Sequence, residues 1–595
     1  MNPEPTTLNK AAVDPVTVAT VWHSLQTSCR EARHLIKRTA QSYLIGQAQD
    51  VSVGIWDAKG NTVSVPAGLP VQFLGTRFAA QAILELFEGN LKPGDVILSN
   101  DPYHGGHNCH LPDWGFFRPV FYEGELVFFM MVRAHMQDTG GAFPGGYFPD
   151  GYDILSEGLS IPPIKIIDGG EEQTELLQLI FNNVRWPEGV RLDAESLIAA
   201  TEMMERRVLE LIEKYGKEKT LRCVEEMLDR TEVAVRAGIS AIPDGTYSAE
   251  AATDDDGTEL DVPVWVRADV TIKGDEMTLD FSRSDPQRPG FVNCIYATTY
   301  GLAVGAAILF CDPSIADYHN EGSMRPISVI APEGSVLNCV YPATVGASPV
   351  NMGGQIMETV MEALSKALPE RSLAAWGKHR GDYAFAVDPR TGERYLRTLF
   401  DYDGSCGAVW GFDGYVAVST LCTLGALNRG TVEEHETRLP WRVLKWELAA
   451  DHTGAGRWRG GPGMHWEALN EGSDGQMATG SSDGDVIEGF GVHGGHPSPV
   501  SRTYLKRGDE MIRVLPHRLV DLKHGDVLIK HSSGGGGVGF PWQRDPEAVR
   551  TDVRNEIVSL EVARDVYGVV LEGDALEINT TKTERLRSTM ASERA

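Results

Sequence analysis

The sequence predicts a mixed α/β protein of the α+β class, built from several lobes. The chain has 595 residues, well beyond the ~250–300 residues at which single hydrophobic cores stop growing. Hydrophobic residues make up 42% and charged residues 23%, an ordinary globular composition. Helical and strand-like patterns follow one another in blocks. We predict five parts of the chain: an N-terminal α/β lobe that contains a candidate metal site (1–187), a helical hairpin (188–245), a mixed α/β lobe (246–380), a β-rich lobe (381–545) and a helix-and-strand tail (546–595).

The N-terminal lobe begins with a helical pattern over about the first 40 residues. Its apolar positions are Val16, Val21, Leu25 and Leu35. Alternating apolar residues over 49–63 then predict two strands around a turn at 58–60. A helix is expected over 75–88, and a strand should lead into the loop that contains residues 99–106. The apolar run ELVFFMMVRAH predicts a buried strand that ends at His135.

The remaining lobes have equally distinct patterns. Apolar residues three and four apart predict two helices that stop at Gly216 and Gly238, glycine being common just after a helix end. A β-meander is expected over 242–282, followed by apolar helices near 296–310 and 353–367. Short strands separated by glycines predict the β-rich lobe, in which Gly534–Gly537 indicates flexible or closely packed backbone.

Charge and cysteine content narrow the class of protein. The formal net charge is −29, which disfavours nucleic acid and membrane surfaces as partners. The 8 cysteines are dispersed, without a C-x-x-C pair, so reduced and mostly buried thiols are expected. The N-terminus has no signal-peptide pattern, and apolar stretches fall short of the ~20 residues of a membrane span. We therefore expect a cytoplasmic protein.

Polar side chains are densest in SNDPYHGGHNCHLPD (99–113) and RAHMQDTGG (133–141). Histidine and carboxylate side chains together are typical ligands of Zn, Mn or Fe. Asp50, which interrupts a strand-like run, would need a cation or hydrogen-bond donors if buried. His135 would need a partner for its second nitrogen, and Asp138 is a candidate. The alternative is that these histidines only cap backbone groups in loops.

Other motifs are absent or weak. The chain contains no G-x-x-x-x-G-K-[ST] and no G-x-S-x-G, which argues against a phosphate-binding P-loop and a serine-hydrolase elbow. The glycines of GFGVHGG (489–495) neither follow a clear strand nor open a helix, so turn chemistry is the better interpretation. Cys109 beside His110 is a weak candidate for a nucleophile.

The two polar segments resemble the hydantoinase B/oxoprolinase family, and the resemblance continues along nearly the whole chain. Further matching segments are DILSEGLSIPPIKI, NNVRWPE, IPDGTYSAE, HNEGSMRPISVIAPEGSVLN, GRWRGGPG and SSGGGGVGFPWQRDP. The resemblance implies the multi-lobed hydantoinase B-type fold. It also implies a hydantoinase A-type partner that binds ATP and Mg and phosphorylates the substrate, with no biotin, which would explain the missing P-loop.

The family's metal site, carried over residue by residue, implies Asp50, His110, Asp113 and His135 as ligands of a divalent metal. Two departures change its surroundings. Asn108-Cys109 lengthens the link to the H-x-x-D step, and Gln72 stands where the family often has histidine. From their positions alone, we assign proton transfer to His107 and Asp138.

Family members serve two kinds of reaction. Some belong to ATP-dependent carboxylases of ketones such as acetone or acetophenone, which join the ketone to bicarbonate and give a β-keto acid. Others belong to ATP-dependent hydantoinases, oxoprolinases and lactamases. The two departures favour a carboxylase subunit of the acetophenone type, with hydantoinase A-type partners and a small extra subunit. A cyclic-amide hydrolase is the alternative, and a non-catalytic scaffold is a third hypothesis that the complete set of four ligands disfavours.

Overall fold

A computed structural model describes residues 13–399, 404–418 and 420–593. It confirms the mixed α/β class, with several separate sheets and long helices. In the part of the chain described, no helix is long and apolar enough to cross a membrane. All eight cysteines lie within the described residues, where they are buried and form no disulfide, as expected from their dispersed positions.

The N-terminal lobe is built on a seven-stranded antiparallel sheet. Its elements are α1 (Pro15–Thr39), α2 (Tyr43–Gly46), β1 (Val51–Asp57), β2 (Thr62–Ala67), α3 (Pro70–Phe73), α4 (Thr76–Leu86), β3 (Val96–Ser99), β4 (Asp113–Tyr122), β5 (Glu125–His135), β6 (Ile164–Asp168), β7 (Glu171–Glu172) and α5 (Thr174–Phe181). The strand order is β2-β1-β5-β4-β3-β6-β7. Strand β5 lies inside the sheet and is buried from Val127 to His135, as its continuous apolar sequence predicts.

Two long helices follow, α6 (Pro187–Tyr215) and α7 (Lys217–Ser240). Their buried residues form one core with α1 and one face of the first sheet. Gly216 ends α6 as predicted, with φ at +83°. The prediction that Gly238 ends α7 is wrong, because the helix continues to Ser240. A Cβ on Gly238 would lie 2.8 Å from Cβ of Cys311, so this glycine allows close packing.

The middle lobe contains a four-stranded sheet and two buried helices. Its elements are β8 (Gly245–Thr253), β9 (Val264–Lys273), β10 (Glu276–Asp280), α8 (Tyr296–Ile308), α9 (Glu321–Met324), β11 (Ile327–Ile330) and α10 (Asn351–Ala367). Strands β8, β9 and β10 pair antiparallel, which confirms the predicted meander, and β11 joins β10 in parallel. Helices α8 and α10 confirm the two predicted apolar helices.

The C-terminal half is β-rich, as predicted, and ends in short helices. Its elements are β12 (Asp382–Val387), β13 (Arg394–Leu399), α11 (Val432–Arg438), β14 (Trp441–Leu448), β15 (Met464–Asn470), β16 (Gly475–Ala478), β17 (Arg502–Arg507), β18 (Glu510–Val514), β19 (Leu519–Leu522), β20 (Val527–His531), α12 (Pro546–Arg554), α13 (Leu560–Asp565), β21 (Leu571–Glu572), β22 (Glu577–Ile578) and α14 (Thr580–Ser592). The sheet orders are β13-β12-β16-β19 and β14-β15-β20-β17-β18. Strands β21 and β22 pair in the tail.

One hydrophobic core crosses the predicted lobe boundaries. It joins Leu69 and Tyr147 of the N-terminal lobe to α8, α10, Tyr383 and Ala478. The loops that follow the first sheet are therefore covered by distant parts of the chain. This arrangement buries the polar segments that the sequence singles out.

Candidate metal centre

Three adjacent strands of the first sheet bring three of the four predicted ligands together. Asp50 immediately precedes β1, Asp113 begins β4 and His135 ends β5, which lies between them. Asp113 and His135 are direct cross-strand partners, and the His135 amide donates to the Asp50 carbonyl at 3.1 Å. His110 lies one short turn before Asp113. The common strand end thus places all four residues at one edge of the sheet.

The carboxylate of Asp113 is the centre of the hydrogen-bonding geometry. Its Oδ1 lies 3.2 Å from Nε2 of His110 and 3.3 Å from Nδ1 of His135. Gln72 donates its Nε2 to Oδ1 of Asp50 at 2.7 Å and approaches Oδ1 of Asp113 at 3.4 Å. Nδ1 of His110 donates to the Gly346 carbonyl at 2.9 Å. Nε2 of His110 is therefore the nitrogen that faces Asp113.

These side chains line a small cavity. Asp50, His110, Asp113 and His135 all line it, with Gln72 and Tyr147 beside them. The four are at most 8% exposed, and the cavity volume is about 30 Å³. Such a space holds an ion or a water molecule but is far below the ~300–1,000 Å³ of a typical small-molecule pocket.

Aromatic rings close one side of the cavity. The Tyr147 ring stacks on His135 with centroids 6.2 Å apart, and it also stacks on Tyr383 at 4.3 Å. His110 meets the edge of His135 at 5.0 Å. The imidazoles are therefore held by packing as well as by hydrogen bonds, which reduces the reorganisation needed for binding.

The two carboxylates have opposite tendencies. Burial raises the pKa of Asp50 well above its usual range, and the negative charge of Asp113 adds to this effect. Burial also disfavours the charged form of Asp113, but His110 and His135 outweigh it and hold its pKa well below the usual range. Burial lowers the pKa of His135. Without a bound cation, Asp50 and Asp113 therefore carry one negative charge between them. A bound cation would allow both carboxyls to ionise.

The donor set fits a divalent cation. Two imidazoles and two carboxylates face one cavity, a mixed nitrogen and oxygen set that suits Zn, Mn or Fe. Nε2 of His135 is buried and has no hydrogen-bond partner among the described residues. A buried nitrogen without a partner is costly, and so are two neighbouring buried carboxylates. A cation would relieve the repulsion between Asp50 and Asp113.

A second ligand set overlaps the first. Among the residues that the structure describes, Cys109, His110 and Asp113 form the one group whose donor atoms all lie within 4.8 Å of one another. However, Sγ of Cys109 donates to Oδ2 of Asp113 at 2.9 Å, and burial raises the pKa of this thiol well above its usual range. A neutral thiol is a poor ligand. We therefore favour the set with Asp50 and His135.

The two residues predicted to move protons lie away from this group. The His107 ring packs against Phe78, with centroids 6.2 Å apart. The Asp138 carboxylate accepts hydrogen bonds from the Arg185 amide and guanidinium at 2.5 Å and 3.1 Å. Asp138 therefore does not fix the His135 tautomer, because Nδ1 of His135 faces Asp113. Proton transfer by His107 and Asp138 stays a prediction.

Both departures from the family pattern have a structural role at the site. Gln72 accepts a hydrogen bond from Ser52 at 2.7 Å and donates to Asp50, so its amide orientation is fixed. Asn108 donates its side-chain amide to the carbonyls of Asn100 and His110 at 3.0 Å and 2.7 Å and so holds the loop that carries His110. Tyr147 and Gly346 were missed, because no local pattern marks a residue whose contacts are distant in sequence.

Comparison with known proteins identifies the family of this chain. A family profile described as hydantoinase B/oxoprolinase matches residues 14–541. The chain is 32% identical to the beta chain of caprolactamase from Pseudomonas jessenii, over 94% of this chain and 97% of that protein. It is 31% identical to the B-type component of a putative D-/L-hydantoinase from Pseudomonas sp. (strain NS671), over 97% and 98%.

A solved structure and a more distant relative complete the comparison. The crystal structure of the ATP-dependent caprolactamase from Pseudomonas jessenii superposes with a TM-score of 0.90, at 30% identity, and covers 97% of this chain and 100% of that one. The acetophenone carboxylase delta subunit of Aromatoleum aromaticum is 24% identical, over 91% of this chain and 84% of that protein. The family contains subunits of both kinds of enzyme, and this chain belongs to the hydantoinase B/oxoprolinase family.

Proposed function

We propose that this chain is the metal-holding subunit of an ATP-dependent enzyme that hydrolyses a cyclic amide such as a lactam or a hydantoin. The observation that carries the proposal is the similarity over almost the full length to two proteins named for such substrates, at 32% and 31% identity. The similarity to the acetophenone carboxylase subunit is lower, at 24%.

In this proposal Asp50, His110, Asp113 and His135 hold a divalent cation, Zn, Mn or Fe. When bound, such a cation polarises a carbonyl oxygen or lowers the pKa of a coordinated water. Gln72 fixes the orientation of Asp50 through a 2.7 Å hydrogen bond. Tyr147 packs against both imidazoles and keeps bulk water from that side. The 30 Å³ cavity is too small to enclose a lactam ring.

ATP and Mg belong to a partner subunit in this proposal, and no biotin takes part. The chain has no P-loop sequence, and its relatives are named as subunits. We expect a hydantoinase A-type partner in a cytoplasmic complex, which phosphorylates the substrate oxygen and makes the amide carbon more electrophilic. His107 and Asp138 remain our candidates for proton transfer. The Asp138 carboxylate is ion-paired with the Arg185 guanidinium at 3.1 Å.

The second candidate is a ketone carboxylase subunit, which the sequence departures at Gln72 and Asn108-Cys109 favour. The relative from Aromatoleum aromaticum supports it at a greater distance. The cation site would serve either reaction by polarising a carbonyl. Only this candidate requires bicarbonate and gives a β-keto acid, and it would involve a small extra subunit.

Turnover by the complex purified with its genomic partners decides between them. Caprolactam, hydantoin, 5-oxoproline and acetophenone are tested with ATP, with and without bicarbonate. Ring opening coupled to ATP hydrolysis and independent of bicarbonate is the expected result. Bicarbonate-dependent ATP hydrolysis with acetophenone and formation of a β-keto acid would replace our proposal by the carboxylase.

Metal binding by the chain itself is tested with Zn²⁺ and Co²⁺. We expect one tightly bound Zn²⁺, which Asp113→Ala and His135→Ala each lose, while Cys109→Ala keeps it. The Co²⁺ spectrum should lack the charge-transfer band of a thiolate ligand. If the band is present and Cys109→Ala abolishes it, the set Cys109, His110 and Asp113 holds the metal instead.

A further inference from the structure

Glu157 is a fully buried acid that the proposed reaction does not use. It follows a 3-10 turn at Ile154–Ser156 and is 0% exposed. Its Oε1 accepts hydrogen bonds from the amides of Val345 and Gly346 at 2.8 Å and 2.9 Å. Its Oε2 has no hydrogen-bond partner among the described residues. Burying a carboxyl in this way is costly, so its position requires an explanation.

The same glycine contacts the candidate metal centre. The Gly346 amide donates to Glu157, and its carbonyl accepts the hydrogen of Nδ1 of His110 at 2.9 Å. The other nitrogen of this ring, Nε2, faces Oδ1 of Asp113 at 3.2 Å. One peptide segment therefore connects the buried carboxyl to the tautomer of a proposed ligand. Ligating histidines usually donate their second N–H to a carbonyl or carboxylate, which fixes the ring.

The segment around Gly346 is held on several sides. Tyr103 donates its hydroxyl to the Ala343 carbonyl at 2.7 Å, and the Ile154 amide donates to the Pro342 carbonyl at 2.8 Å. A Cβ on Gly346 would lie 2.7 Å from the Gly146 carbonyl oxygen. A larger residue therefore cannot fit at this position. The segment is held through its backbone, and Glu157 supplies the acceptor for the two successive amides of Val345 and Gly346.

We propose that Glu157 is a positioning residue of the metal centre, which holds the Val345 and Gly346 amides so that the Gly346 carbonyl fixes the tautomer and ring orientation of His110. The inference rests on the metal site proposed above. Glu157 does not touch the cation in this arrangement. Its contribution is to keep Nε2 of His110 directed at the cavity before the cation arrives.

The test uses the full-length chain and two measurements. Nitrogen-15 NMR of histidine-labelled, metal-free protein reports the His110 tautomer, with the signal assigned from His110→Gln. Calorimetric titration with Zn²⁺ reports affinity. Glu157→Gln keeps an oxygen acceptor and should preserve the Nδ1–H tautomer and wild-type affinity. Glu157→Ala should mix the tautomers and weaken Zn²⁺ binding about 10–100-fold, the usual effect of losing an outer-shell partner.

Two further variants keep the test decisive. Glu157→Asp, which retracts the acceptor by one methylene, replaces Glu157→Ala if the latter does not fold, and the same losses are expected. Asp95→Ala is the control, at a buried carboxyl that also pairs with Lys165 at 2.9 Å. Asp95 is also 0% exposed and accepts the amides of Lys92 and Gly169 at 2.9 Å and 2.7 Å, but its contacts lie at the far edge of the first sheet. It should leave the tautomer and the affinity unchanged.

The outcomes separate this inference from the proposed function. If both Glu157→Ala and Glu157→Asp keep the wild-type His110 tautomer and Zn²⁺ affinity, the positioning role is overturned. The proposed metal site is not affected by that result. Equal losses in Asp95→Ala would also overturn it, because the effect would then reflect general destabilisation. If the wild type binds no Zn²⁺ but Glu157→Ala still changes the tautomer, the metal site fails and the link from Glu157 to His110 remains.

Discussion

At the scale of single residues, three buried carboxyls define the candidate metal centre and its support. Asp50, Asp113 and Glu157 are each at most 8% exposed, and each is stabilised differently. Gln72 donates to Asp50, two histidines face Asp113 and two backbone amides donate to Glu157. Removing one of these partners leaves a buried acceptor unpaired, which costs about 1–3 kcal/mol.

The pKa of Glu157 predicts a pH dependence of stability. Burial raises this pKa to about 8, although the Gly346 and Val345 amides oppose the shift. Between about pH 4.5 and pH 8, the folded protein keeps a proton that the unfolded chain has released. Stability from this group is therefore full below that window and falls as pH rises through it. Glu157→Gln has no proton to release. Its free energy of unfolding, relative to that of the wild type, should therefore rise by a few kcal/mol as pH increases through this window.

Differential scanning calorimetry across pH 4.5–9 measures this effect as the unfolding midpoint of the variant minus that of the wild type. The difference should increase up to about pH 8, the pKa of Glu157, and then level off. Glu370→Gln, at an exposed position, is the control and should give a difference that does not vary with pH. A constant difference for Glu157→Gln as well would show that the buried carboxyl does not hold its proton.

Sequence reasoning named the four candidate ligands from the family resemblance. His110, Asp113 and His135 also lie in the two dense polar segments, whereas Asp50 stands apart in a strand-like run. It could not find their supporting residues. Gly346 and Glu157 are separated from His110 by 236 and 47 residues. The Gly346 carbonyl accepts a hydrogen bond from the His110 ring, and Glu157 is linked to His110 only through the Gly346 amide. A glycine carbonyl has no signature in composition or periodicity. Such support depends on tertiary packing, which local patterns do not encode.

At the scale of elements, α3 is the short helix that carries Gln72, and it packs against α8. Gly301 of α8 packs directly on the backbone before α4. A Cβ there would lie 2.8 Å from the Gly75 amide nitrogen and 3.0 Å from the Leu74 carbonyl carbon. Backbone atoms cannot rotate away as a flexible side chain can. We therefore expect a displacement of α8 to move Gln72, the residue that orients Asp50.

Gly301→Ala tests this dependence. We expect a loss of stability of about 1–3 kcal/mol from overpacking, seen as a lower unfolding midpoint, together with weaker Zn²⁺ binding in calorimetric titration. Gly354→Ala is the control in helix α10, because a Cβ at Gly354 has no atom within 4 Å. It should be neutral or stabilise by up to ~1 kcal/mol. Unchanged Zn²⁺ affinity in Gly301→Ala would show that α3 is positioned independently of α8.

The elements themselves were largely predictable, because period and composition are local. Strand β5 is a continuous apolar run, and α6 stops at Gly216 as its pattern indicates. The glycines were harder to interpret. Gly535 would place a Cβ 2.1 Å from the Cys406 carbonyl oxygen, so the Gly534–Gly537 segment is closely packed and not flexible. Glycines that end a helix and glycines that allow contact look alike in sequence.

At the scale of the whole molecule, the predicted lobes share interiors. Helices α6 and α7 form a common core with the first sheet. A second core joins loops of the N-terminal lobe to strands and helices beyond residue 290. The lobe boundaries remain a prediction, since the sequence pattern gives element type but not which distant surfaces meet. The metal centre depends on this joining, because Tyr147 packs on Tyr383 and Gly346 faces His110.

The C-terminal tail is attached to the body by a buried ionic network. Arg544 donates two hydrogen bonds to Asp413, both at 2.7 Å, and binds Asp552 of α12 at 2.8 Å. Arg459 binds the other oxygen of Asp552 at 3.0 Å. One arginine therefore joins a loop of the β-rich lobe to the tail. Removing one partner of a buried ion pair leaves the remaining charge uncompensated.

Arg544→Met should therefore release the tail without altering the metal centre. We expect a destabilisation of about 3 kcal/mol, since removing one partner of a buried pair usually costs ~3–5 kcal/mol and Asp413 keeps some solvent contact. Limited proteolysis should cut the variant near residue 546 while Zn²⁺ affinity stays at the wild-type value. Arg550→Ala, which removes a half-exposed pair with Glu547 on the same helix, should change stability by less than ~1 kcal/mol. Loss of Zn²⁺ binding in Arg544→Met would instead mean that the tail and the metal centre unfold together, as one cooperative unit that spans the whole chain.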